Sequence, residues 1–192
     1  MARIRTFVAI ELDNAIRKAS ADAIAVLSST ADTIRWVEPE GMHLTLKFLG
    51  EVEDRELHQL CRITKRVAEE VSSFSLSCRG LGAFPSADKP TTIWMGVSDE
   101  SETLGPMQKR LESLLFDELR IPIENRPYRA HITLGRNKSR GKYNPQLTEL
   151  LQGSAEQEFG LLQVTELVAF SSELTRQGPI YTPLCRCPVG SP

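Results

Sequence analysis

The sequence predicts an α+β fold: two pseudo-symmetric lobes of antiparallel β-sheet with outer helices and a central cleft. Three observations lead there. The tetrapeptide His43-Leu44-Thr45-Leu46 returns as His131-Ile132-Thr133-Leu134, nearly half a chain later. Segments of strand and helix character alternate, yet the strands pair through short turns, which argues against a doubly wound parallel sheet. Each motif also follows a turn bearing Glu and Pro (Glu38-Pro39-Glu40-Gly41, Glu124-Asn125-Arg126-Pro127) and runs into a glycine, Gly50 or Gly135. An old internal duplication leaves such a trace.

The elements follow in order. Residues 4–12 form a first strand. Asp13 is an N-cap for a helix over 14–28, with Ile16, Ala19, Ala23 and Leu27 at helical spacing. Residues 34–37 form a short strand, 39–41 a turn, and 43–49 the first motif strand, ending before Gly50. A second helix over 54–71 buries Leu57, Leu60, Cys61, Val67, Ala68 and Val71 opposite a charged face that carries His58. A long strand over 74–84 meets a breaker-rich turn at 85–90, then a strand over 91–97. A third helix over 102–119 turns Leu104, Met107, Leu111 and Leu115 inward. Pro122 and Pro127 bracket an extended connection to the second motif strand, 129–136. A polar, basic loop over 137–144 precedes a short helix at 145–151. Strands over 163–171 and 180–186 complete the fold. The domain is expected to span 1–187, with a frayed tail at 188–192.

The bulk properties set bounds. A chain of 192 residues, 41% apolar and 25% charged, fits one globular domain. The net charge of −2 makes it no bulk polycation, so any nucleic-acid contact must use local positive charge. No stretch approaches the roughly 20 apolar residues of a membrane span. The apolar run near the N-terminus is short and meets Glu11 at once, which favours the cytoplasm over secretion. Cys61, Cys78, Cys185 and Cys187 lack zinc spacing and read as reduced, buried thiols. No long heptad or large apolar patch argues for more than a monomer.

The motifs suggest chemistry. On a strand, histidine and threonine of each copy share one face, and the aliphatics share the other. One His-x-Thr alone is a weak signal; its repetition in the same parity is a strong one. Displacement at phosphorus proceeds in line, so one group must deprotonate the entering water while another protonates the leaving oxygen. Two imidazoles on facing lobes satisfy that geometry, with unperturbed pKa values near 6.5. The threonine hydroxyls would donate to the non-bridging oxygens. Lys47 shares parity with His43 and Thr45, so it is expected in the cleft, whereas Phe48 falls with the core set. Arg129 shares parity with His131. Arg136 does not, unless Gly135 forms a bulge that turns it inward. Spacing alone leaves the choice between them open.

Arg35-Trp36-Val37 followed by His43-Leu44-Thr45-Leu46-Lys47-Phe48-Leu49-Gly50 resembles the RNA 2′,3′-cyclic phosphodiesterases, also called 2′-5′ RNA ligases, of the two-histidine phosphoesterase superfamily. The resemblance extends to Phe7-Val8-Ala9-Ile10, Gly80-Leu81-Gly82-Ala83-Phe84-Pro85, His131-Ile132-Thr133-Leu134-Gly135-Arg136 and Tyr181-Thr182-Pro183-Leu184. It implies a bilobal fold with the active site between lobes. The implied reaction opens the terminal 2′,3′-cyclic phosphate of RNA, such as a tRNA fragment, to a 2′-phosphate. By the family pattern His43 is the proton donor and His131 the acceptor. Thr45, Thr133 and Arg136 match the phosphate-holding positions, which tips the choice to Arg136. The symmetric pair itself does not distinguish donor from acceptor. Run backwards with a 5′-hydroxyl in place of water, the site would form a 2′-5′ linkage as a minor activity.

Lys47, Arg129, Lys138 and Arg140 are candidate RNA contacts, and Trp36, Phe48 and Phe84 candidate base-stacking rings. No cofactor is expected, and with no DxD, HxH or HExxH, activity without a metal is expected. Two rival readings keep the same residues. One is a phosphodiesterase for small cyclic or 2′-5′-linked nucleotides; the other is an RNA-end binding module without turnover.

Overall fold

The computed structural model describes residues 2–138, 143–176 and 178–190. Its strands are β1 (Arg3–Glu11), β2 (Ile34–Trp36), β3 (His43–Glu53), β4 (Phe74–Phe84), β5 (Thr92–Ser98), β6 (His131–Asn137), β7 (Glu158–Val164), β8 (Glu166–Leu174) and β9 (Pro179–Pro188). The helices are α1 (Asn14–Ser28), α2 (Leu57–Glu69), α3 (Leu104–Leu119) and α4 (Pro145–Gly153). Local chemistry sets their starts. The Asp13 carboxylate accepts from the Ile16 N–H at 2.9 Å, and the Asn144 side chain accepts from the Leu147 N–H at 3.1 Å. Residues 54–56 form a 3₁₀ turn ahead of α2, which buries Leu60, Ile63, Val67 and Ala68.

Among the described residues, the two expected lobes share one nine-stranded antiparallel sheet. Its order is β7-β4-β5-β6-β3-β1-β8-β9, and β2 pairs with β6. The halves β3-β1-β8-β9 and β6-β5-β4-β7 meet at the β3–β6 seam, each with its motif strand innermost. At that seam a single pair is bonded, Leu44 with Ile132. Helix α2 covers β8 and β9 of one half, while α1 and α4 pack on β7 and β4 of the other. The main core lies between sheet and helices. A second, smaller cluster of Phe7, Ala9, Val168 and Phe170 occupies the opposite, cleft-side face of the first half.

Three sequence expectations need correction. The single strand expected at 163–171 is two strands, β7 and β8, which break at Thr165 and belong to opposite halves of the sheet. The apolar pattern of β7 is weak because it is an edge strand that buries only Leu162 and Val164. β3 does not end before Gly50. That residue adopts φ 74°, pairs with Thr6, and lets the ladder continue to Glu53. The expected frayed tail is anchored at its start: Val189 N–H donates to the Thr165 carbonyl at 2.9 Å and Gly190 N–H to Ala68 at 3.1 Å. Among the described residues, no helix is long and apolar enough to cross a membrane.

Candidate active site

The seam builds the site. With Leu44 opposite Ile132, the antiparallel register one residue to either side sets His43 across from Thr133 and Thr45 across from His131. Leu44 and Ile132 are fully buried, so the four polar residues face the cleft together. The two imidazoles occupy opposite corners of this square. Directly opposed side chains have Cβ atoms about 5 Å apart and diagonal ones about 7–8 Å, which leaves room for one phosphate.

Each ring is held in the same way. His43 Nδ1 lies 2.9 Å from the Gly41 carbonyl, and His131 Nδ1 lies 2.7 Å from the Arg129 carbonyl. A carbonyl only accepts, so Nδ1 carries the proton in both neutral rings. Nε2 is left as the nitrogen that can exchange a proton with a ligand.

Two bulges complete the site. In β3 the pairing with β1 slips at Leu46, and in β6 the pairing with β5 slips at Leu134. Each slip falls on the fourth residue of its motif and reverses the alternation beyond it. Residues five after each histidine, Phe48 and Arg136, are thereby exposed on the cleft side. Arg136 donates to the Thr92 hydroxyl at 3.4 Å. At Gly135 a Cβ would meet the Trp36 ring at 2.8 Å, so the indole of β2 closes over a position only glycine fits.

The same slip corrects the expectation for Lys47. It lies buried in the wall of the cavity beside His131, 3% exposed, and its ammonium is turned to the Glu112 carboxylate at 2.5 Å and the Pro122 carbonyl at 2.9 Å. Phe48, expected in the core, is 50% exposed. Parity carried past an unseen bulge gives the wrong face for both.

The rings sit in different surroundings. His43 stacks on Phe7 with centroids 4.7 Å apart and meets the edge of Tyr181 at 5.2 Å. Burial pushes its pKa down most. The Gly41 bond and the Glu11 charge push it up, Arg136 and His131 push it down, and the balance lies at about 4. These couplings place Arg136 and His131 within electrostatic reach of His43. His131 meets Phe84 edge-on at 5.0 Å. Its pKa is also lowered, by burial first and Arg136 after, against the Arg129 bond.

Beside His131 and Thr45 opens a cavity of about 620 Å³. Phe48, Phe84, Pro85 and Tyr128 supply apolar walls, and Arg126 and Arg129 stand at its rim. The Tyr128 hydroxyl donates to the Thr45 carbonyl at 2.9 Å, tying the 120–130 connection to β3. Thus Arg129 lines the cavity and orients His131 through its main chain. Lys138 is exposed beyond β6, and Arg140 lies outside the described residues. Motif reading missed Glu11, Phe7, Tyr128 and Tyr181 as parts of the site, because each meets it through neighbours far away in the chain.

The family model described as LigT like Phosphoesterase matches residues 10–94 and 96–181, one His-x-Thr motif in each segment. The chain belongs to the LigT-like phosphoesterases. Enzymes called RNA 2′,3′-cyclic phosphodiesterase are similar over nearly the full length. That of Archaeoglobus fulgidus is 33% identical, with 94% of this chain and 98% of the relative covered. That of Methanothermobacter thermautotrophicus is also 33% identical, covering 94% and 96%. Among solved structures, a protein of Thermus thermophilus superposes with TM-score 0.81 at 28% identity, over 97% of this chain and 98% of that one. E. coli LigT complexed with NADP+ superposes with TM-score 0.75 at 26% identity, over 99% and 100%. As a LigT-like phosphoesterase, the chain is a phosphodiesterase enzyme with the α+β fold of its relatives.

Proposed function

We propose that this LigT-like phosphoesterase hydrolyses the terminal 2′,3′-cyclic phosphate of RNA to a 2′-phosphate, by acid/base catalysis between His43 and His131. The observation that carries the reading is the matched tautomer of the two rings at opposite corners of one polar square. The phosphate lies within the square. Thr45 and Thr133 hydroxyls donate to its non-bridging oxygens, and Arg136 offsets the charge that builds in the pentacoordinate state. Nε2 of His131 takes the proton of the entering water, and Nε2–H of His43 delivers one to the departing 3′ oxygen. A bound phosphodiester neutralises the field of Arg136 at His43, one of the influences that lower its pKa, so substrate favours the charged form that donates.

The cavity beside His131 receives the terminal nucleobase between Phe48 and Phe84, with Arg126 and Arg129 toward the preceding backbone phosphate. A tRNA fragment with a cyclic end is one such substrate, and the enzyme acts as a soluble monomer in the cytoplasm. Both proton transfers are supplied by side chains, so no metal is needed. The reverse reaction, with a 5′-hydroxyl in the position of water, forms a 2′-5′ linkage at a low level.

The test is product analysis on an oligoribonucleotide ending in a 2′,3′-cyclic phosphate, with and without EDTA. A 2′-phosphate formed at equal rates in both supports the reading. Tight binding without turnover would assign an RNA-end binding module instead. Equal kcat/KM on a cyclic mononucleotide would shift the substrate class to small cyclic nucleotides.

A further inference from the structure

The two histidines are related by the pseudo-twofold, yet their cross-strand partners differ. On β1, Glu11 is paired with His43; on β5, Gly96 is paired with His131. Glu11 follows Phe7 and Ala9 in parity, so it shares the cleft-side face with His43. Arg186 of β9 is paired with Val168 on that same face, and its guanidinium contacts both Glu11 and Glu166, the latter at 2.6 Å. A carboxylate clamped by a guanidinium is thus built into the strand beside one imidazole. Nothing comparable fits beside the other: a Cβ at residue 96 would lie 2.5 Å from the Arg79 carbonyl oxygen.

We infer that Glu11, held in place by Arg186, is a positioning residue that marks His43 as the proton-donating member of the pair, the fold having barred a carboxylate from the matching place beside His131. This inference rests on the acid/base reading above and supplies the donor–acceptor distinction that the symmetric motifs lack. A carboxylate next to an imidazole stabilises the imidazolium and leaves the neutral ring unaffected, so Glu11 opposes the burial and the Arg136 charge that together hold free His43 neutral, and its pull remains once a bound phosphate offsets Arg136. The groups around His43 are Glu11 from β1, Arg136 and His131 from β6, and the Tyr181 hydroxyl from β9. Of these, Glu11 alone carries a carboxyl group. Arg186 both fixes its direction and tempers its charge, and Glu166 in turn tempers Arg186.

The experiment follows the imidazole C–H resonances through a pH titration of the free enzyme. Three histidines are present, so the His43→Ala spectrum assigns the signal of interest. Glu11→Gln should move the His43 midpoint to lower pH by about 0.5, with His131 unmoved, and Glu11→Asp should restore most of it. Arg186→Met, which frees the Glu11 charge, should move the same midpoint upward. In kcat/KM profiles on a cyclic-ended RNA, the limb abolished by His43→Ala should shift in the same directions. A His43 midpoint unchanged in both Glu11→Gln and Arg186→Met would overturn the inference, even with full turnover. Loss of the acid/base reading would show differently: the midpoints would move as stated, and no cyclic phosphate would be opened.

Discussion

Leu44 of β3 and Ile132 of β6 are partnered across the seam, and both are wholly shielded from solvent. This one apolar pair aligns the two halves of the site. A slip of one residue in either strand would send its histidine and threonine into the core and its aliphatics into the cleft.

The first expected outcome concerns the rings that this pair aligns. His43→Ala and His131→Ala should each lower kcat by about 10²–10⁴-fold, with binding of a cyclic-ended RNA largely kept. The double variant should lose little more than the worse single one, since both groups serve one displacement. Single-turnover rates and filter binding check this.

Arg136 bears electrostatically on both imidazoles. Arg136→Met should lower kcat/KM by about 10²-fold, through loss of charge stabilisation at the phosphate. It should also reduce the slope of log KM against log salt by about one. A rate series over a range of KCl concentrations reads both.

Phe48 packs loosely and is half exposed. Phe48→Ala should raise KM for the cyclic-ended RNA by about tenfold, as loss of one base–aromatic contact would. Its unfolding free energy should change by no more than about 1 kcal/mol. Leu44→Ala, at a fully buried site in the same strand, should instead cost about 2–5 kcal/mol of stability. Denaturant titration separates the two.

Lys47 has a structural task. Burial pushes the Glu112 carboxyl up; the bond from Lys47 and the Glu124 N–H outweigh it and hold the carboxyl below its usual range. Lys47→Met leaves that carboxylate uncompensated beneath the cavity and should destabilise the fold by about 3–5 kcal/mol. The salt dependence of RNA binding should stay as in the wild type, because the ammonium is already paired with the Glu112 carboxylate.

The histidines make stability depend on pH in a known direction. His43 titrates at about 4 when folded and near 6.5 when unfolded, and His131 is lowered in the same sense. Between those values the unfolded chain holds more protons, so stability present above about pH 6.5 is lost as pH falls through about 4. Thermal unfolding from pH 7 to 4 should show a falling Tm, and His43→Gln should flatten the fall.

Much of this was legible in the residues themselves. The cap at Asp13, the stripe of α2 and the polar face of each motif strand follow from local chemistry and period. The errors cluster where the chain departs from simple alternation. Beyond Leu46, one extra residue placed Lys47 inside and Phe48 outside, against parity. Beyond Leu134, the matching slip turned Arg136 to the cleft, and only Gly135 hinted at it. The break at Thr165 was hidden because β7 buries few side chains at the sheet edge.

The sequence alone determined which residues could perform the chemistry: two imidazoles and two hydroxyls, each histidine two positions before its threonine on a strand. Those are properties of side-chain type and of a repeat of two, which a strand expresses wherever it lies. The tertiary structure decided how these groups meet and how they differ. Register across the seam, the two bulges, and the choice of Glu11 or Gly96 as neighbour depend on which strands pair. Pairing is settled by the packing of the whole core, so no local stretch of the chain contains it.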